Sequence, residues 1–157
     1  MPDFKPKSIV LLQGILAPEA LKKTKFSKTT AVFVLEGRPS LWAAHSNVKV
    51  LLKNRLIPTV IADNMAGFLF YKGLVRGVIL ACQYADKTGA LCDMGALILA
   101  VLAKKHKVPV SLLSAEPRHR FLGDPKEILG FNGTRLAPAG VKGYVPLVEW
   151  VPAKYLK

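Results

Sequence analysis

Short apolar runs rich in β-branched residues alternate with helical patterns along this chain, and this alternation restricts the fold more than any other feature. The runs are Thr30 to Leu35, Ile57 to Ile61, Gly77 to Cys82 and Val108 to Leu113. Runs of this kind are typical of strands that helices cover on both sides of a parallel sheet. The pattern therefore predicts an α/β fold, a three-layer αβα Rossmann-like domain with a mostly parallel sheet.

The helical patterns lie between these runs. They extend from Ser40, a possible cap, to about Asn54, from Asp63 to Tyr71 and from Ala90 to His106. The last is the longest and is apolar on nearly every side, so we expect it to be buried both by its own sheet and by something else. A second copy of the chain is the simplest candidate, which predicts a homodimer through Ala90 to His106.

The two ends of the chain are less regular. At 157 residues the chain is expected to form one domain, in which residues 1–29 extend a core of residues 30–157. Ser8 to Leu16 is apolar and fits a strand or a short helix, and Ala17 to Lys23 reads as a helix start with Pro18 in its first turn. From Ala115 onward the chain is rich in Pro and Gly and is predicted to form loops.

The net charge of +13, from 23 Lys+Arg and 10 Asp+Glu, favours anionic partners such as phosphorylated metabolites, RNA or anionic lipid. A lysine-rich solvated surface explains the same charge equally well. Binding of RNA would require a contiguous basic face. The lysines expected to build it are Lys22, Lys23, Lys25, Lys28, Lys104, Lys105 and Lys107.

The cysteines and the amino-terminal residues indicate where in the cell the protein is expected. The two cysteines form no C-x-x-C pair, so neither a disulfide framework nor a metal site is expected, and no cofactor is predicted. Residues 1–7 show no signal-peptide pattern, and the longest apolar run, around Gly95 to Ala103, is too short to span a bilayer. A cytoplasmic location without membrane contact is the resulting expectation.

One strand-to-helix junction predicts a ligand site. Thr59 to Leu69 reads as a short strand that continues directly into a helix through Asp63-Asn64-Met65-Ala66-Gly67. Strand carboxyl ends and helix amino ends share one crevice in parallel α/β proteins, and anions bind there. Asp63, Asn64 and Met65 are therefore candidate ligand-binding residues, although Asp63 also suits a simple helix cap.

Several segments together resemble the carboxyl-terminal domain of the initiation factor 2B-like family. Val32 to Pro39 is similar to a strand ending in Glu-Thr-Arg-Pro, and Asp63 to Gly67 to an Asp-Asn/Ser-Met/Ala-Ala-Gly/Ala junction. Leu99 to Pro109, Asp124 to Ile128 and Arg135 to Lys142 resemble three further motifs in the same order. The family includes the alpha, beta and delta subunits of translation initiation factor 2B, methylthioribose-1-phosphate isomerase and ribose-1,5-bisphosphate isomerase.

The departures from the family pattern concern the residues that the resemblance implies for catalysis. The isomerases carry a cysteine-bearing strand ahead of Glu-Thr-Arg-Pro, whereas the residues before Thr30 contain no cysteine. Ala81-Cys82-Gln83 matches Gly-Ala-Asp, so an amide stands where the resemblance implies the catalytic aspartate. Trp42 and His45 replace a ligand-contacting Gln and Arg, and Cys92-Asp93 replaces Asn-Lys at the expected start of the long helix.

These replacements leave three readings open. The favoured one is a non-catalytic or repurposed member that binds a small anionic ligand or a protein partner, because Gln83 cannot titrate and isomerisation needs a positioned acid or base. The second is an isomerase-like enzyme on a phosphorylated sugar or nucleotide with a rearranged site. In that case a Cys–His–Asp grouping is one chemical possibility, whereas the plainer alternative has Trp42 filling the pocket. The third is a basic RNA- or ribosome-associated protein. The expected ligand-binding set is Trp42, His45, Asp63, Asn64, Met65, Cys82, Gln83, Cys92 and Asp93, with no residue assigned as catalytic.

Overall fold

The computed structural model describes residues 8–157, so the amino-terminal expectation for residues 1–7 lies outside the described residues. The strands are β1 (Ser8–Gln13), β2 (Thr30–Leu35), β3 (Thr59–Ile61), β4 (Val75–Asp86), β5 (Gly89–Asp93), β6 (Val110–Ser114), β7 (Gly130–Phe131), β8 (Thr134–Arg135) and β9 (Val148–Pro152). The helices are α1 (Pro18–Lys23), α2 (Trp42–Lys53), α3 (Ala66–Tyr71) and α4 (Ala96–His106). Single 3-10 turns occur at Asp63–Met65, Pro125–Leu129 and Ala153–Tyr155.

The central sheet is mostly parallel, as the sequence predicts. Its order is β3-β2-β1-β4, and β6 and β5 both pair with β4, β6 with its middle and β5 with its end. The pairs among β1, β2, β3, β4 and β6 are parallel, whereas β5 pairs antiparallel with β4 and with β9. β1, which lies in the predicted extension, occupies the middle of the sheet between β2 and β4.

Helices cover both faces of this sheet, which gives the three predicted layers. On one face α3 and α4 pack against the strands through Phe70, Leu99 and neighbouring apolar side chains. On the other face α1 and α2 do so through Leu21 and Leu51. Because successive side chains of a strand point to opposite faces, Leu11 and Leu12 of β1 supply one cluster each.

The prediction of a helix from Ala90 to His106 is wrong for its first residues. Residues 89–93 form β5, and α4 begins only at Ala96. Gly95 precedes that helix with φ +97°, a left-handed conformation that interrupts any helix reaching back to Ala90. Pairing with β4 and β9 on both edges of β5 overrides the helical pattern of its side chains. Cys92 and Asp93 therefore lie on a strand.

Smaller differences concern element ends. β4 continues past Cys82 to Asp86 and forms a hairpin with β5, so the predicted third strand is too short. Leu41, in a left-handed conformation, rather than Ser40 precedes α2. Ser8 to Gln13 resolves as a strand, and the loop-like tail contributes β9 to the sheet. No helix within residues 8–157 has the length and apolar character needed to cross a membrane.

Candidate functional site

A cleft of about 420 Å³ opens between α3 and α4, at the carboxyl ends of β1 and β2. Leu35, Ile98, Leu99 and Leu102 contribute its apolar wall, and its polar lining comes from Gln13, Arg38, Asp63, Asn64 and Gly95. The strand order reverses at β1, because β2 and β3 lie on one side of it and β4 lies on the other. Ligands of open α/β sheets bind at such a switch point, so this cleft is the candidate site.

Gln13 lies at the base of the cleft with only 3% of its surface exposed. Its Nε2 donates a hydrogen bond to the carbonyl oxygen of Met94, but its Oε1 accepts none. Gly95 packs so closely that an added Cβ would stand 2.6 Å from Nε2. Gln13 ends the strand that precedes β2, where the family resemblance implies a cysteine-bearing strand.

Arg38 stands at the rim of the cleft, and Asp63 fixes its backbone there. Asp63 Oδ1 accepts a hydrogen bond from Gly37 N at 2.9 Å, and Oδ2 accepts one from Arg38 N at 2.8 Å. Asp63 makes no capping bond to its own turn, so the alternative that it caps the helix is wrong. The Arg38 guanidinium lies 4.1 Å from the centroid of the Phe131 ring.

A narrower hollow of about 30 Å³ adjoins the cleft, and Gln13, Arg38 and Met94 line both. Asp93, 2% exposed, lies in its wall. Arg118 holds Asp93 through Nε to Oδ1 at 2.9 Å and Nη2 to Oδ2 at 3.0 Å. Gln83 Nε2 and Ile15 N donate to Oδ1 and Oδ2 at 3.2 and 2.7 Å. These bonds fill the roughly four acceptor positions of a carboxylate.

Gln83 is fixed on every side by this same network. Its Nε2 also donates to the Glu116 carbonyl oxygen at 2.9 Å, and its Oε1 accepts from Arg118 N at 3.2 Å. An amide neither gains nor loses a proton at physiological pH. Gln83 therefore orders the loop after β6 rather than presenting a group that transfers protons.

The two thiols face each other across the β4–β5 hairpin, where Cys82 and Cys92 are register partners. Burial, followed by the charge of Cys82, raises the pKa of Cys92 to about 12. Burial also raises the pKa of Cys82, whose Sγ donates to the Tyr84 carbonyl oxygen at 3.2 Å. Because the thiolate is the reactive form, both residues are poor nucleophiles at neutral pH.

A carboxylate of the chain already occupies the amino terminus of α4. Glu149 Oε1 accepts hydrogen bonds from Gly95 N at 2.7 Å and from Leu97 N at 2.9 Å. Backbone N–H groups at a helix start are the donors that phosphate groups use in other proteins. Glu149 of β9 thus occupies the position beside the cleft at which these backbone groups would bind an anion.

Trp42 and His45 lie away from the cleft. They line a separate surface hollow with Ser40 and Leu41, and their rings meet edge to face with centroids 5.8 Å apart. Trp42 is 60% exposed, so it does not fill the cleft. The structure therefore does not assemble the Cys–His–Asp grouping.

The remaining predicted residues divide in the same way. Asn64 lines the cleft with Asp63, whereas Met65 is 54% exposed and does not line it.

Four residues of the site were not predicted from the sequence: Gln13, Arg38, Arg118 and Glu149. Arg38 was visible in the Glu-Gly-Arg-Pro motif, and Gln13 as the polar end of an apolar run. Arg118 and Glu149 carried no signal, because they reach the site from a segment predicted as loops. No group of three or more His, Cys, Asp or Glu suited to a metal ion occurs in the described part of the chain.

Comparisons with known proteins agree on one family. A sequence model described as the Initiation factor 2 subunit family matches residues 12–157. A methylthioribose-1-phosphate isomerase of Thermus thermophilus is 32% identical over 145 residues, covering 84% of this chain and 44% of the relative. The isomerase of Syntrophus aciditrophicus is 33% identical over 141 residues, covering 82% and 38%. This chain therefore spans less than half the length of these relatives.

Two solved structures share the fold. Translation initiation factor eIF-2B, subunit delta, from A. fulgidus superposes with a TM-score of 0.77 at 20% identity, covering 94% of this chain and 50% of that chain. The 5-methylthioribose 1-phosphate isomerase from Pyrococcus horikoshii OT3 gives 0.74 at 23% identity, covering 98% and 49%. A translation initiation factor subunit and an isomerase thus share this fold.

Proposed function

Because the chain belongs to the Initiation factor 2 subunit family, we propose that it is a non-catalytic member whose α3–α4 cleft binds a small phosphorylated ligand. The observation that carries the proposal is that Gln13, which lines the cleft, has a buried Oε1 without a hydrogen-bond partner. A buried acceptor without a donor costs about 1–3 kcal/mol. A ligand hydroxyl that donates to Oε1 would remove that cost.

The charge at the rim supports an anionic ligand. Within residues 8–157 the Arg38 guanidinium pairs with no carboxylate, and its contact is the Phe131 ring. The Arg118 guanidinium is already held by Asp93. Arg38 is therefore the cleft cation that remains available to a phosphate group.

The hydrogen-bonded side chains at the strand ends argue against isomerisation. Transfer of a proton between adjacent sugar carbons needs a group that gives up and regains a proton near neutral pH. Gln83 is an amide, Asp93 has its acceptor positions filled, and the Cys82 and Cys92 thiols stay protonated. These groups support binding of a ligand without its chemical conversion.

Thermal unfolding in the presence of phosphorylated pentoses, hexoses and nucleotides tests the proposal. A ligand at 100 times its Kd should raise the melting temperature by roughly 5–10 °C. Arg38→Ala should remove most of the shift for phosphorylated ligands, whereas Lys49→Ala, which removes an exposed cation of α2, should leave it intact. If no phosphate ester stabilises the protein, the ligand proposal fails.

An isomerase-like activity is the second candidate, because the relatives at 32–33% identity bear the name methylthioribose-1-phosphate isomerase. It requires an acid or base that this chain does not place in the cleft, unless a segment beyond it supplies one. Production of a ketose phosphate from an aldose phosphate by the purified chain would favour this candidate over the first.

A further inference from the structure

Basic residues gather at the end of the sheet where the parallel strands begin, opposite the cleft. The segments that lead into the parallel strands carry Lys22, Lys23, Lys25, Lys28, Lys53, Arg55, Lys72, Lys104, Lys105 and Lys107, hereafter the basic edge. All ten side chains are exposed. Among the described residues one carboxylate pairs with this set, Glu19 with Lys22 at 3.3 Å, and Lys104 Nζ donates to the Lys154 carbonyl oxygen.

The topology explains why residues distant in sequence share this edge. β1, β2, β3, β4 and β6 run in parallel, so all five enter the sheet from the same end, although β3 and β6 begin three residues further along than β2 and β4. The helices that precede β2, β3, β4 and β6 therefore end at this side of the molecule. The register confirms this, since Ser8 pairs with Thr30 and Ile9 with Val75. Five strands about 4.8 Å apart give an edge roughly 20 Å wide, which helices on both faces make deeper.

Helix dipoles do not account for this charge. Each helix carboxyl end carries roughly half a negative charge. Four helices therefore offset about two of the ten positive charges. Asp63, Asp93 and Glu149 lie at the opposite end of the sheet, where they accept hydrogen bonds from Gly37 N after β2, Ile15 N after β1 and Gly95 N before α4. The edge is left strongly positive.

Two exposed rings accompany the ammonium groups at the end of α3. Tyr71 is 79% exposed and Phe68, one turn earlier, is 60% exposed. Lys72 Nζ lies 5.5 Å from the Tyr71 centroid and 5.6 Å from that of Phe68. Positive side chains that neutralise a backbone, together with aromatic rings on which bases stack, are the means by which proteins hold single strands.

We propose that the basic edge binds single-stranded nucleic acid, with the phosphates along the lysines and a base stacked on Tyr71. The charges are spread over the edge rather than converging on one point, which suits a polyanion better than a single phosphate ester. The binding surface lies at the end of the sheet opposite the Gln13 cleft. It is therefore independent of the ligand proposed for that cleft.

Fluorescence anisotropy with a labelled 12-nucleotide oligouridylate tests this proposal. The logarithm of the binding constant should fall linearly with the logarithm of KCl concentration, with a slope of about −0.7 for each phosphate contacted. A Lys23→Gln, Lys28→Gln, Lys53→Gln, Lys105→Gln variant should bind at least tenfold more weakly and with a shallower slope. Tyr71→Leu should weaken binding about tenfold at unchanged slope.

The matched control removes four lysines elsewhere: Lys49→Gln, Lys87→Gln, Lys126→Gln and Lys142→Gln. It carries the same net charge as the first variant, so less than threefold weakening is expected, and circular dichroism checks that both variants fold. Equal weakening in both variants would mean that only net charge matters, and the proposal would be wrong. No binding at 50 mM KCl, or tighter binding to phosphatidylserine vesicles than to the oligonucleotide, would also overturn it.

Discussion

At the residue scale, Asp93 organises the network beside the cleft. It accepts hydrogen bonds from two side chains and one backbone group, and it joins β5 to the end of β1 and to the loop after β6. Gly14 allows this approach, because a Cβ there would stand 2.6 Å from the Asp93 Cβ. The Asp93 carboxylate is thus a structural group, and replacing it should change the stability of the protein rather than an activity.

Asp93→Asn should lower the free energy of unfolding by about 3 kcal/mol, because it leaves the Arg118 guanidinium without its charged partner in a mostly buried place. Urea denaturation measures the change. Glu19→Gln is the control, since it breaks the exposed pair with Lys22 and should cost less than about 1 kcal/mol. Equal costs for the two variants would contradict the role given to Asp93.

Cys92 allows a prediction about pH. Its pKa rises from 9.0 to about 12 on folding, so the native state retains a proton that the unfolded chain releases. The contribution of Cys92 to stability is therefore complete below pH 9 and decreases as pH rises toward 12. In the Cys82→Ser background, native Cys92 should react with iodoacetamide at pH 9 at least 100-fold more slowly than in urea. A native rate close to the urea rate would show that the thiol is accessible and ionised.

At the scale of single elements, α4 depends on a side chain from another strand for its amino terminus. Glu149→Ala frees Gly95 N and Leu97 N and should cost about 1–2 kcal/mol. Inorganic phosphate should then restore part of this loss by binding at the freed donors, as a rise in melting temperature would report. Glu127→Ala, an exposed carboxylate in a 3-10 turn, should show neither the loss nor the recovery. A phosphate effect of the same size on the unaltered chain would contradict this account.

The elements also show what sequence can predict. Thr30 to Leu35 was predicted with its bounds, because a strand buried on both faces needs an apolar run. β5 was not predicted, since Ala90-Leu91-Cys92 suits a helix locally and only pairing with β4 and β9 selects a strand. For the same reason Asp93 was assigned to a helix start. Its partner Arg118 was not predicted because it lies in a segment predicted as loops.

At the scale of the whole molecule, the exposed face of α4 supports the predicted homodimer as a proposal. Ile98 is 67% exposed and Val101 is 40% exposed on a helix that otherwise packs against the sheet. Ile98→Asp should therefore convert a dimer to a monomer in size-exclusion chromatography with light scattering. Leu52→Asp alters an equally apolar exposed position on α2 and should leave the dimer intact. A monomeric unaltered chain at tens of micromolar would end this proposal.

The claim on which the whole account depends is that the α3–α4 cleft retains ligand binding after losing proton transfer. A ³¹P NMR time course of the purified chain with aldose phosphates, including methylthioribose 1-phosphate, tests both halves at once. The account predicts that at least one phosphate resonance broadens or shifts on adding protein, that Arg38→Ala weakens this change, and that no ketose phosphate signal develops. Growth of a ketose phosphate signal that depends on the chain, or phosphate resonances that stay unchanged for every sugar, would contradict it.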